Sequence, residues 1–243
     1  AFSTGSLERA MSDTNVRTAE QAREQHRIAM GHELGDLYSA LWQQVVSLHR
    51  KWGEYVALFG TKPERLELLN QTGPSFFRTV QDCLWRDVLI HLARITDPQQ
   101  TAGKDNLTLK RLPSLMDAPK ERSELEVLIL RSAENTTFAR DWRNRHIAHH
   151  DLLLSLELPT EPLAAASPAH VDSALAAVGE VLNFLSLHYL GSTTVFEFAA
   201  EPAAGGATSM LYYLQAGIEA ERARRERVKS GAHDSNDLQR RSL

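Results

Sequence analysis

The stretch "LYSALWQQVVSLHRKWGEYVALFG", residues 37–60, decides the fold class of this chain. Apolar side chains recur in it, and just before it, at steps of three and four, the spacing of one face of an α-helix. The members of this face are Leu34, Leu37, Leu41, Val45, Leu48, Trp52, Tyr55 and Phe59. We therefore predict one long helix from about Arg17 to Phe59, ended by Gly60 and Pro63.

The same period recurs along the chain between segments rich in turn-forming residues. It predicts further helices over about 63–69, 74–96, 119–150, 168–190 and 208–229. Asn106 is expected to cap a short segment that ends near Met116, and residues 158–168 read as a linker. "TTVFEF", residues 193–198, is the best strand candidate, but one strand makes no sheet and we expect extended chain. The predicted fold is all-α, an antiparallel helical bundle with an extra C-terminal helix.

Length and pattern suggest one domain. A chain of 243 residues holds one sizeable core or two small ones. We predict an N-terminal segment at 1–16, a single helical domain at 17–230 whose C-terminal extension starts near 191, and a polar, mobile tail at 231–243. Met11 is a candidate natural start, which would make residues 1–10 foreign to the protein.

Composition excludes several functional classes. The formal net charge of −4 argues against non-specific coating of nucleic acid, which needs a surplus of Lys and Arg along a face. Cys83 is the only cysteine, so an intrachain disulfide or a cysteine-rich zinc site is impossible. The most apolar run, residues 83–95, contains four polar or charged side chains, so we expect no membrane span and no membrane partner. With no secretory signal visible, we expect a cytoplasmic protein.

"DWRNRHIAHHD", residues 141–151, is the stretch on which function depends. The simplest interpretation is the polar end of a helix, where the macrodipole favours cations. Solvated faces usually mix Glu with Lys, however, whereas this one combines histidines with arginines. Histidine transfers protons near neutral pH, and the guanidinium fork of arginine fits phosphate oxygens. That pairing suits cleavage of a phosphodiester by an internal hydroxyl.

A metal site is the weaker alternative. His146 lies three residues before His149 and four before His150, so two imidazoles could share a metal, with a third ligand from Asp151 or from another helix. The neighbouring arginines oppose a dication electrostatically. We therefore expect no metal and no cofactor at this position.

The motif and its surroundings resemble the HEPN superfamily, in which an arginine followed by a polar residue precedes a histidine by a few positions. Four further segments resemble, in order, parts of its abortive-infection U-type branch. They are residues 37–60, 68–98, 103–109 and 203–217. The resemblance spans about Leu34 to Gly217 and implies a bundle of HEPN type.

Carried over position by position, the resemblance assigns the motif arginine to Arg143, the polar residue to Asn144 and the motif histidine to His149. It implies a metal-independent endoribonuclease that acts as a homodimer in a toxin–antitoxin or phage-defence system, with RNA as substrate and an antitoxin protein as a possible partner. The alternative is a catalytically inactive HEPN dimer that binds RNA or a protein. Supporting positions are Arg145, His146, His150 and Asp151.

The spacing does not by itself make an Arg–His pair. In a regular helix Arg143 and His149 would lie roughly 120° apart around the axis and about 9 Å along it. A two-fold dimer seam, or a local end of the helix near Ala148, would relieve this mismatch. Arg145 is the same-face neighbour of His149 in a regular helix, and the choice of Arg143 comes from the resemblance.

Overall fold

Helices account for nearly all regular structure in the protein. The structure, a computed structural model, describes residues 18–60, 62–148, 151–199 and 205–239. Over these residues it confirms the all-α prediction, with one two-stranded sheet besides the helices. The chain forms two compact units. The described residues of the first unit lie within Ala1–Gln44, Ile95–Glu134 and Ala176–Thr194, and those of the second lie within Val45–Arg94, Asn135–Leu175 and Val195–Leu243.

The first predicted helix is in fact two, α1 (Ala19–Met30) and α2 (His32–Phe59). Gly31 breaks the helix with a φ of +82°, a conformation that side chains rarely tolerate. Gly35 then lets the two helices approach, because a Cβ there would lie 2.6 Å from the Arg27 backbone nitrogen. The single-helix prediction was wrong here because periodicity does not register a change of direction. The predicted end at Phe59 is confirmed.

The next two helices agree with the prediction. Helix α3 (Pro63–Thr72) and helix α4 (Pro74–Ile95) each begin at a proline, whose missing N–H costs nothing in the first turn. The side chain of Cys83 on α4 is exposed.

Residues between α4 and the next helix form a small hairpin and two 3-10 turns. Strand β1 (Gln100–Thr101) pairs antiparallel with β2 (Lys104–Asp105), and Leu109–Arg111 and Pro113–Leu115 are the 3-10 turns. The predicted cap was wrong: Thr108, not Asn106, caps the first turn. The Asn106 amide instead donates to Pro98 O at 2.8 Å and to Thr101 Oγ1 at 2.7 Å.

The predicted helix over 119–150 is divided into shorter pieces. Helix α5 (Pro119–Asn135) ends before Thr136, whose ψ of 5° departs from helical geometry. Helix α6 (Thr137–Trp142) follows, then one π-helical turn (Arg143–Ile147). After a break comes α7 (Leu152–Ser155). The prediction of one continuous helix was wrong, because the chain departs from α-helical geometry at Thr136 and again within the motif, at the π turn.

The C-terminal part matches the prediction at its long helices, α8 (Pro168–Leu190) and α10 (Gly206–Ser230). The extended interpretation of 193–198 was wrong for its second half, where α9 (Phe196–Ala199) forms a short helix. The described part of the tail folds back on α10: Asp237 is only 6% exposed and lies 2.6 Å from the Arg227 guanidinium.

Each unit has its own buried apolar side chains. In the first unit the fully buried ones include Tyr38, Leu41, Leu109, Leu112, Met116, Leu125, Leu182 and Leu185. One cluster of the second unit consists of Leu48, Trp52, Val88, Leu89, Leu92, Phe138, Ala139, Val171, Ala174 and Leu175. Two residues of the motif, Trp142 and Ile147, pack against this cluster and attach the motif to the core of the second unit.

Among the described residues, α8 alone has the length and composition that a membrane-spanning helix requires. The expectation that no segment could span a membrane was therefore wrong by the criteria of length and composition. Half of its most apolar window is buried within the protein. Core helices pass the same test, so this property alone does not indicate a membrane.

Candidate functional site

The candidate site begins where the backbone hydrogen bond of the helix spans five residues instead of four. The Ala148 N–H donates to Arg143 O at 2.8 Å, five residues back, instead of to the oxygen of Asn144 four residues back. Such π turns are rare and occur frequently at functional sites. The π turn ends at Ile147, so the helix ends next to Ala148.

Trp142 anchors the start of this turn. Its side chain is half-buried against the core cluster of the second unit, and its indole Nε1 donates to Ala164 O at 2.8 Å. The ring of His146 stands edge-on to the indole, with centroids 5.5 Å apart. One face of the turn is therefore occupied by packing, and His146 belongs to that face.

Arg143 and Asn144 form the polar part of the turn. The Arg143 Nε donates to the Asn144 Oδ1 at 3.0 Å, and the Asn144 side chain is exposed. This bond orients the guanidinium from its Nε edge. Asn144 thus holds the arginine that precedes it in the motif.

Arg145 has a different environment from Arg143. Its side chain is 21% exposed, and Nη2 and Nη1 donate to Glu161 O at 2.5 Å and Pro162 O at 3.3 Å. The same guanidinium lies 3.5 Å from Asp141 Oδ1 and 3.6 Å from Asp151 Oδ2. Arg145 therefore connects the two ends of the motif to the linker that follows α7.

Asp151 closes the motif. One carboxylate oxygen accepts from the backbone N–H groups of Leu153 at 2.9 Å and Leu154 at 3.3 Å, and so caps α7. The Asp151 N–H donates to Arg145 O at 3.0 Å. These contacts bring the chain before and after residues 149–150 together. His149 and His150 themselves lie outside the described residues.

Asp141 and the linker are contributors that sequence reasoning did not single out. The Asp141 Oδ2 accepts from the Ala164 N–H at 2.8 Å. The i, i+4 spacing of Asp141 and Arg145 is a signal that could have pointed to their pairing. No sequence pattern indicates that the backbone of 161–164 receives their remaining hydrogen bonds. Among described residues no group of three or more potential ligands is placed to hold a metal ion.

Comparison with family models places this site in a known context. The model of the HEPN family AbiU2 matches residues 31–208, which include the whole motif. The chain belongs to the AbiU2 family of the HEPN superfamily. It is thus an abortive-infection type of HEPN domain. Comparisons with curated proteins and with solved structures gave no match.

The AbiU2 motif is followed directly by exposed apolar side chains. Four leucines within seven residues have accessible side chains: Leu152, Leu153, Leu156 and Leu158. Single exposed leucines are ordinary, but a run of them next to a polar motif is typical of a contact surface.

Histidines elsewhere in the second unit have structural environments. His91 on α4 is buried, and its Nε2 has no hydrogen-bond partner among the described residues. The pKa of His91 is lowered to about 4, mainly by burial; the charges of Lys51 and Arg94 add to the lowering, and Asp87 opposes it. His49 on α2 is also buried, stacks on Phe196 with centroids 5.5 Å apart, and has its pKa lowered by burial. Both rings are thus enclosed by the core, which favours their neutral form.

Proposed function

We propose that this AbiU2-family chain is a metal-independent endoribonuclease of a toxin or phage-defence system, acting in the cytoplasm. The observation that carries the proposal is that Arg143 and Asn144 lie in a π turn at the end of a helix, within the family match, with His149 following in sequence. The permanently charged guanidinium of half-buried Arg143 thus has a proton-transfer residue close to it in sequence.

The proposed chemistry is an internal displacement at phosphorus. His149 removes the proton of a ribose 2′-hydroxyl or protonates the leaving 5′-oxygen, and the 2′-oxygen forms a bond to phosphorus as the bond to the 5′-oxygen breaks. The products are a 2′,3′-cyclic phosphate and a free 5′-hydroxyl. Arg143, oriented by Asn144, stabilises the negative charge that develops on the phosphate. No step requires a metal.

RNA is the substrate that the local charge favours. Over residues 140–148 three arginines stand against one aspartate, although the whole chain carries a formal charge of −4. Asp141 and Arg145 form an ion pair, and Arg143 adds a further cation within the π turn. A small cationic site of this kind positions one phosphate and contributes little to non-specific affinity.

We further propose that the active form is a homodimer with residues 142–151 near the two-fold axis. The exposed leucines of 152–158 supply apolar area beside the motif, as a self-complementary contact requires. A two-fold axis there brings each motif next to its own copy. An antitoxin protein that covers the same surface would block both dimerisation and RNA entry.

The test is cleavage of labelled single-stranded and structured RNA by wild type and by His149→Ala, with a chelator present. The matched control is His233→Ala, which removes an exposed histidine of the tail. Wild type and control should cleave equally and leave a 2′,3′-cyclic phosphate. Loss of general acid–base catalysis in His149→Ala should reduce the rate roughly 100- to 10,000-fold.

Two results would overturn the proposal. Cleavage by His149→Ala at the wild-type rate would exclude this mechanism. Absence of cleavage by wild type, with RNA still retained in a mobility-shift assay, would identify the alternative, a catalytically inactive HEPN dimer that binds RNA.

A further inference from the structure

The linker segment Glu161–Ala164, here called the strap, lies against the motif and is held by motif side chains. Three of them bond to its backbone: Asp141 accepts from the Ala164 N–H, Trp142 donates to Ala164 O, and Arg145 donates to the oxygens of Glu161 and Pro162. We propose that Trp142 and Arg145 are positioning residues, which use the strap to hold the π turn in the form that presents Arg143. This inference rests on the proposed ribonuclease function.

The bonds to the strap surround the π turn. Two anchors, Asp141 and Trp142, lie immediately before the turn, which runs from Arg143 to Ile147, and Arg145 lies inside it. At one residue of the strap, Ala164, the backbone N–H donates to Asp141 and the backbone oxygen accepts from Trp142, so both backbone polar groups of that residue are held. The motif and the strap are therefore attached at three points and cannot slide past each other.

An unusual backbone conformation persists only where its surroundings determine it. The sequence of 119–150 has the period of a regular helix, and a regular helix would pair the Ala148 N–H with Asn144 O. The observed partner is Arg143 O at 2.8 Å. Because local preference favours the regular form, contacts from outside the helix must maintain the π turn, and the strap provides them.

The π turn determines the direction in which the Arg143 side chain points. Its guanidinium is oriented through Nε by Asn144 Oδ1, and both residues belong to the π turn. A return to the regular helix changes the rotation of the chain after Arg143 and with it the placement of Asn144 and of the residues up to Asp151. Small misplacements at a reacting centre reduce the rate of the chemical step more than they reduce binding.

Two tryptophans of the second unit allow a matched experiment. Trp142→Phe removes the indole N–H that binds Ala164 O at 2.8 Å and keeps an apolar ring against the core. Trp52→Phe is the control, because it removes an indole N–H that binds Asp172 Oδ1 at 2.7 Å far from the motif in sequence. Melting temperature, kcat and KM for one RNA are measured for both variants.

We expect the two variants to lose similar thermal stability, with only Trp142→Phe losing kcat, roughly tenfold or more, at an unchanged KM. A purely structural role of Trp142 would predict equal kcat values after correction for the folded fraction. That result would overturn the inference and leave the proposed function intact. A wild type without any cleavage would overturn both.

A second pair of variants does not depend on tryptophan packing. Arg145→Lys keeps the charge but cannot serve the oxygens of Glu161 and Pro162 together with Asp151, because a single ammonium lacks the planar fork. Arg65→Lys is its control, since Arg65 Nη1 donates to the backbone oxygen of Ala57 at 2.8 Å. We expect Arg145→Lys to lower kcat severalfold and Arg65→Lys to leave kcat unchanged. Equal kcat for both variants would contradict the proposal that Arg145 positions the π turn through the strap.

Discussion

Trp52 and Trp142 make the same kind of hydrogen bond in two very different regions of the second unit. The indole of Trp52, on α2, donates to the side chain of Asp172 on α8, so that bond joins two regular helices. The indole of Trp142 donates to a backbone oxygen of an irregular linker, and its own chain changes to a π turn at the next residue.

The difference separates structure that stabilises the fold from structure that shapes a site. Around Trp52 every element has the conformation that its sequence favours, and removing a contact costs stability alone. Around Trp142 the sequence favours a regular α-helix, but the observed conformation is a π turn. Contacts with residues distant in sequence determine that conformation. Irregular backbone held by long-range bonds is expected where function requires a particular geometry. Four measurements test this division, from the largest expected effect to the smallest.

The motif region should respond to Arg143→Ala with a large loss of rate and little loss of stability. Loss of one donor that stabilises developing charge is worth roughly 3 to 4 kcal/mol of activation free energy, which corresponds to about 100- to 1,000-fold in kcat. Arg225→Ala is the control, because its side chain is 74% exposed and lies on α10. A kcat for Arg143→Ala within twofold of the control would remove Arg143 from the mechanism.

The core region should show the opposite behaviour. Leu92 is fully buried in the cluster that contains Trp52, so Leu92→Ala should lower the free energy of unfolding by about 3 kcal/mol, through lost transfer energy and a cavity. Urea titration measures this loss, and Leu187→Ala, at an exposed position of α8, is the control. At a temperature where both variants are folded, the kcat of Leu92→Ala should equal that of wild type. A large drop in kcat would contradict the distinction between residues that stabilise the fold and residues that shape the site.

The core should also carry an acid sensitivity, at buried His91. The folded-state pKa of His91 is about 4, below its ordinary value near 6.5. Between these two pH values the unfolded chain is protonated at His91, whereas the folded chain is not. Stability should therefore fall as the pH falls from 6.5 towards 4, by about 2 kcal/mol between pH 7 and pH 5 from this residue. His91→Leu should remove that part of the loss, whereas exposed His188→Leu should not. Identical pH profiles for wild type and His91→Leu would refute the assignment.

The smallest effect is expected at the end of the motif. Asp151→Ala removes the cap of α7 and the contact with Arg145, and should cost about 1 kcal/mol of stability. Asp151→Asn retains a good cap without the charge, so it should restore most of the stability. If the Asp151–Arg145 contact contributes to positioning, Asp151→Asn should still show a lower kcat. Full activity in Asp151→Asn would restrict Asp151 to the cap.

The long helices were predictable because each of them buries one continuous apolar face. The bounds of α8 match the prediction at both ends, and those of α4 and α10 differ from it by at most two residues. Proline at the first position and glycine after the last are local signals, so sequence alone contains them.

The breaks were not predictable for a physical reason. Gly31 interrupts an apolar pattern that continues on both sides, and its φ of +82° depends on the close approach of α1 and α2 at Gly35. The π turn depends on bonds from Asp141, Trp142 and Arg145 to residues about 20 positions later. The sequence identified the motif and its resemblance, but the strap follows only from long-range contacts.

The single exposed thiol described on α4 has a practical consequence for the proposed dimer. A nitroxide spin label attached at Cys83 would be introduced once per chain, without engineering any other position. Two-fold symmetry then permits only one label-to-label distance, so pulsed electron paramagnetic resonance would show one narrow distribution for a closed dimer. A monomer would show no dipolar modulation, and an open chain of subunits would show several distances.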